Sequence, residues 1–141
     1  MHPVIAHAEW RHGGVFEAVC GSGGAIVLDG GSGHRHGPCP MEAVLMALCS
    51  CASIEVVNIL LKKRQPLTGL RVTASAGRAD SPPRVFSRIL LTYTVRGRVS
   101  RRAVEHAVEL SQGKYCAVSK MLEKTAIIKC RIIYPDGELE P

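Results

Sequence analysis

Between Glu42 and Glu55 the chain runs Ala43-Val44-Leu45-Met46-Ala47-Leu48-Cys49-Ser50-Cys51-Ala52-Ser53-Ile54, 12 residues without a charge. Wound as a helix, this run is apolar or small on every side, and a helix apolar all round has to be buried. Pro40 can open such a helix, because its missing N–H would have no intrahelical partner in the first turn. Pro66 stops it, which predicts a helix over about 41–63. Glu42 suits the positive end of the helix dipole, and Lys62, Lys63 and Arg64 suit the negative end. A membrane span needs roughly 20 apolar residues. The shorter run reads instead as a central helix packed against a sheet and against another helix.

The segments around it read mostly as strands. Val4, Ala6, Ala8 and Trp10 alternate with more polar neighbours, Arg11-His12-Gly13-Gly14 is the turn, and Val15–Cys20 returns as a hairpin. Ala25–Leu28 is a third strand, and the Gly-, Ser- and His-rich stretch 29–37 is a loop. Leu70–Ala76 alternates with its even-numbered positions apolar. Val85–Val95 places Ile89, Leu91, Tyr93 and Val95 on one face. Ser100 is a candidate N-cap for a second helix reaching about Gly113, with Val104, Ala107, Val108 and Leu110–Ser111 inside. Cys116–Lys124 reads as a short third helix and Ala126–Tyr134 as a last strand. The order β-β-β-α-β-β-α-α-β is an α+β arrangement and not a βαβ alternation. With 141 residues, 46% of them hydrophobic, and no repeat or linker, one domain over 1–141 is expected.

Charge and composition narrow the function classes. The net charge of +6 admits a nucleic-acid partner. The Lys and Arg are nevertheless scattered, and no RNP-like, zinc-finger or basic-helix pattern accompanies them. No nucleic-acid or membrane partner is expected. Met1–Trp10 has no long apolar stretch and carries His2, His7 and Glu9, so no export signal is read and a cytoplasmic location is expected. No cofactor and no metal is expected. His34, His36 and Cys39 could begin a metal site, but they lie on a flexible loop without an evident fourth ligand and read as polar loop residues. Gly21-Ser22-Gly23-Gly24 lies between two strands and is a turn, not a phosphate cradle.

The six cysteines carry the chemical signal. Without an export signal, reduced thiols are the default. Cys49 and Cys51 are two residues apart on a helix, about 200° around its axis, so they face opposite ways and cannot pair there. Cys116, in Lys114-Tyr115-Cys116-Ala117-Val118-Ser119, sits at a helix start beside a lysine. Both features stabilise a thiolate.

Gly37-Pro38-Cys39-Pro40-Met41-Glu42, followed by a small and apolar helix reaching Cys51-Ala52-Ser53-Ile54-Glu55, resembles the OsmC/Ohr superfamily of cysteine-based peroxide reductases. Leu28-Asp29-Gly30 and Lys114 to Leu122 extend the resemblance over nearly the whole chain, closest to a less characterised branch. The resemblance implies an OsmC-like α+β fold, an intertwined homodimer whose long central helices are wrapped by antiparallel sheets. It implies that Cys51 attacks a small hydroperoxide and becomes a sulfenic acid, that Cys116 resolves it as a disulfide, and that an external thiol reductant restores the pair. It implies an arginine in the turn after the first strand, here Arg11, beside the thiolate. Members usually carry a glutamate directly after the helix-opening proline. Here Met41 stands there and Glu42 follows, about 180° and about 13 Å from Cys51 along a regular helix. Glu42 can act across a dimer interface or stabilise the helix start. Glu55 shares the face of Cys51, and a useful Glu55 must bind a cation such as Arg11. The alternative is a non-catalytic protein that holds a small apolar ligand at the dimer interface.

Overall fold

The computed structural model describes residues 2–134; the ends of the expected 1–141 domain, residue 1 and residues 135–141, lie outside the described residues. The chain divides into two compact units that meet between Leu45 and Met46, inside the long helix. No change of composition can announce a boundary that falls within a helix.

The first unit holds a three-stranded antiparallel sheet in the order β1 (Ala6–His12), β2 (Val15–Cys20) and β3 (Ala25–Asp29). Trp10 pairs with Phe16 and His12 with Val15, so Arg11 is the extra residue of a β-bulge. The turn is therefore Gly13-Gly14 alone, and Arg11 belongs to the strand and not to the turn expected for it. A Cβ on Gly14 would collide with the backbone of Gly31, which is why this turn takes glycine. The alternation in β1 does not produce an inner face within the unit: all seven of its residues are exposed.

Helix α1 spans Pro40–Lys62. Cys39 Sγ accepts the Glu42 N–H at 3.5 Å, and Glu42 Oε1 accepts the Cys39 N–H at 3.0 Å. This is a reciprocal capping box with a thiol in the usual hydroxyl position. It supports the reading of Glu42 as a stabiliser of the helix start. By length and composition α1 could cross a membrane. One face of it, Leu48, Ala52, Val56 and Leu60, is fully buried in the second unit.

The second unit places β4 (Leu67–Arg78), β5 (Phe86–Gly97) and β6 (Ile127–Ile133) in one sheet, with β5 central. β4 and β5 are antiparallel, whereas β5 and β6 are parallel. The expectation of antiparallel sheets is corrected at this one pair. A parallel neighbour needs a long crossover, and the helical segment between β5 and β6 supplies it. Ile89, Leu91, Tyr93 and Val95 form the buried row of β5 as read from the alternation. Ser100 caps α2 (Arg101–Leu110), accepting the Ala103 N–H, and α2 buries Ala103, Val104, Ala107 and Val108. Burying side chains of the Leu and Val type contributes roughly 1.5–3 kcal/mol each. Gly113 does not end that helix. The chain passes at Ser111 into a single π turn, Ser111–Tyr115, before α3 (Ala117–Leu122).

Candidate active site

The π turn delivers Cys116. Its N–H reaches back to the Ser111 carbonyl at 2.7 Å, and the residue becomes the N-cap of α3, with Sγ accepting the Ser119 N–H at 3.5 Å. The Ser111 hydroxyl donates to the Ala52 carbonyl at 3.3 Å, tying the turn to α1 one residue beyond Cys51. The thiols of Cys51 and Cys116, 65 positions apart in the chain, lie near enough for Cys51 to raise the Cys116 thiol. Cys49 turns the other way, toward the backbone of Ala74 on β4. All six thiols are free.

Cys116 is completely buried. Burial pushes its thiol up from the ordinary value, Ser119 pulls it down, and the contact with Cys51 pushes it up again; the net shift is upward. This corrects the expectation of a thiolate tuned by the helix start and Lys114. Desolvation outweighs one N–H, and Lys114 is exposed with its ammonium over the Tyr115 ring at 5.4 Å.

Sequence reasoning missed the polar network behind this thiol. Gln112 Nε2 donates to the Tyr93 hydroxyl at 2.9 Å, and Ser119 Oγ donates to Gln112 Oε1 at 2.8 Å. Burial holds the Tyr93 hydroxyl far above its usual range, so it stays a neutral phenol, with the Cys130 thiol among its neighbours. The one available signal was a tyrosine in an otherwise aliphatic inward row, since buried Tyr hydroxyls need partners. A surface groove of about 810 Å³ lies along Ser75, Gly77, Arg88 and Lys129, and neither thiol of the pair lines it.

The remaining candidates lie as follows. Arg11 pairs with Glu17 at 2.6 Å and Glu9 at 3.5 Å on its own sheet, and all three side chains are well exposed. Glu55 lies on α1 one turn beyond Cys51. Asp29, also missed, organises the loop before α1. Its buried carboxylate accepts the Gly31 N–H at 2.8 Å and the His36 N–H at 3.2 Å, and contacts His36 Nδ1 at 3.2 Å. These bonds hold Asp29 below the usual carboxylate range. An Asp two residues before the N–H it accepts is the ordinary Asx turn, and Asp29-Gly30-Gly31 was its signal.

Comparison with known proteins bears on the family and the fold. A family model described as OsmC-like protein matches residues 31–131. Protein YhfA of Escherichia coli strain K12 is 43% identical over 124 residues, covering 87% of this chain and 92% of that protein. An OsmC-like protein from Mycoplasma pneumoniae superposes with a TM-score of 0.82 at 16% identity, covering 99% of each chain. An organic hydroperoxide resistance protein OsmC from Legionella pneumophila superposes with a TM-score of 0.70 at 16% identity, covering 94% of this chain and 98% of that one. With two thiols presented to each other by α1 and by the turn before α3, and a family model spanning both, the chain belongs to the OsmC-like proteins of the OsmC/Ohr superfamily.

Proposed function

We propose that this chain is a two-thiol reductase of organic hydroperoxides, acting in oxidative stress defence. The observation that carries the reading is the meeting of Cys51 and Cys116. The Cys51 thiolate attacks one peroxide oxygen, the O–O bond breaks, and the alcohol leaves with a proton as Cys51 becomes a sulfenic acid. The Cys116 sulfur attacks the sulfenic sulfur, water leaves, and a Cys51–Cys116 disulfide forms. An external dithiol then reduces it by exchange. The upward shift of Cys116 fits the resolving role, because a thiol that stays protonated does not compete for the peroxide.

Arg11 and Glu55 are the charges proposed around Cys51. Glu55 alone would oppose a thiolate, and Arg11, once freed from Glu17, would offset it. Glu42 caps α1 and is given no part in the redox step.

The working species is proposed to be a cytoplasmic homodimer in which residues 1–141 act as one domain completed by a second copy. Two exposed apolar surfaces support this, each within its own region. On α1, Met46, Ile54 and Leu61 are 58%, 56% and 56% exposed. On the first sheet, Trp10 is 65% and Ile26 55% exposed. Exposed apolar side chains that gather into a contiguous patch mark association surfaces.

Consumption of cumene hydroperoxide with a dithiol reductant tests the reaction. Cys51→Ser is expected to fall to the uncatalysed rate. Cys116→Ser is expected to complete one turnover and leave a sulfenic acid that dimedone traps. Undiminished turnover in Cys51→Ser would defeat the proposal.

A further inference from the structure

The loop that Asp29 organises brings three metal-binding chemistries to one place in the first unit. The ligand atoms of His34, Cys39 and Glu42 all lie within 4.8 Å of one another. His36, which the sequence grouped with His34 and Cys39, is instead held by Asp29 and meets the His12 ring edge-on at 5.4 Å. Glu42 takes the place of His36 as the third donor, which spacing alone did not make evident. Its Oε1 accepts the Cys39 N–H at 3.0 Å, which already seats the carboxylate beside the cysteine.

We propose that His34, Cys39 and Glu42 form a zinc site with one imidazole, one thiolate and one carboxylate ligand and a water in the fourth position. A sulfur donor excludes the hard cations Mg²⁺ and Ca²⁺, and the imidazole–thiolate pair selects zinc among borderline metals. Bond lengths of 2.0–2.3 Å place tetrahedral ligands roughly 3.3–3.8 Å apart. The donors therefore have to close by at most about 1.5 Å. His34 and Glu42 are exposed, and their side chains can rotate to do so. Zinc at a helix N-terminus meets the unfavourable end of the dipole. A thiolate and a carboxylate cancel the 2+ charge, so the assembled site is neutral toward it. The three-ligand set with an open position is the pattern of zinc sites that activate or exchange a bound water.

This inference is independent of the redox reading, and its test is run on the full chain carrying Cys51→Ser and Cys116→Ser, so that the redox pair cannot bind the metal. Zinc is measured by equilibrium dialysis against buffered zinc and elemental analysis, and Co²⁺ serves as the spectroscopic probe. One equivalent of zinc is expected per chain. Cobalt is expected to show intense tetrahedral d–d bands and a thiolate charge-transfer band. Cys39→Ser should abolish the charge-transfer band, and His34→Ala should weaken zinc binding by about tenfold or more. His36→Ala should retain the metal. Far-ultraviolet circular dichroism checks that each variant is folded. Absence of bound zinc in the parent, or unchanged zinc affinity in both Cys39→Ser and His34→Ala, would overturn the assignment.

Discussion

In the sheet β4–β6 the inward row Ile89, Leu91, Tyr93 and Val95 is at most 2% exposed, while in the sheet β1–β3 Trp10, Phe16 and Ile26 are 65%, 37% and 55% exposed. Both sheets obey the same pleat, with successive side chains on opposite faces. What differs is the cover. The second unit owns α1 from Met46 onward and α2, which bring Leu48, Ala52, Val104 and Ala107 into the core. The first unit owns a loop and the opening turns of α1, and its buried residues among those described are Val15 and Asp29. Alternation in a sequence says which face wants burial. It does not say which element, or which molecule, supplies it.

The largest test of this difference is Leu91→Ala in the covered sheet. Removing a fully buried leucine should cost about 3 kcal/mol in denaturant unfolding, with no dependence on protein concentration beyond that of the parent. The matching change in the other sheet is Ile26→Ala. On a bare sheet it should cost less than about 0.5 kcal/mol. If a second copy covers that face, as proposed, the cost rises to about 2 kcal/mol, and the parent's own midpoint climbs with protein concentration. A small cost with a concentration-independent midpoint would remove the first sheet from the proposed interface.

The same contrast explains what could be read in the sequence. The α+β order, the buried row of β5, the α1 helix and the opposite facing of Cys49 and Cys51 follow from periodicities of 2 and 3.6 within one element. The meeting of Cys51 and Cys116 was expected from a family resemblance, and the structure brings those two thiols together. The failures are cases where a long-range partner decided. The bulge that moves Arg11 onto the strand depends on its pairing with β2. The parallel placement of β6 depends on how far the crossover carries the chain. The burial that pushes Cys116 up depends on the elements around it, none of which its neighbours Lys114 and Tyr115 reveal. Asp29 was passed over because its partners, Gly31 and His36, looked like ordinary loop residues.

Thiol titration carries the comparison into pH. Burial raises Cys49, Cys116 and Cys130 of the second unit above the ordinary thiol value. A group whose folded pKa is raised binds its proton more tightly when folded. Its stabilisation is complete below the unfolded value of about 8.5 and is lost as pH rises through the folded one. Stability should therefore fall above about pH 8.5, and Cys116→Ala should make the fall shallower. A stability curve whose alkaline limb is identical in Cys116→Ala would mean that the buried thiol ionises no differently in the folded chain.

The smallest effect on stability, and the sharpest contrast between the two regions, is at Cys20. It ends β2 on the open sheet, exposed, with Sγ 3.2 Å from Ser22 Oγ. The hydrogen bond from Ser22, with backbone bonds from Gly24 and Ser22, lowers this thiol below its ordinary value. Cys20 thus has more thiolate at pH 8 than Cys116 and nothing in its own unit to shield it. Alkylation rate depends on both. In native protein at pH 8, Cys20 should be labelled fastest and Cys116 slowest, as read by peptide mass spectrometry over time. Cys20→Ser should abolish the fast phase while changing stability by less than about 0.5 kcal/mol. The order bears on any peroxide assay, because an exposed thiolate consumes oxidant without a resolving partner. Cys20→Ser is therefore the background in which the turnover of Cys51 is cleanly measured. If Cys116 is labelled as fast as Cys20 before any unfolding, the burial that separates the two regions does not persist in solution, and the raised Cys116 thiol cannot be the reason it waits for Cys51.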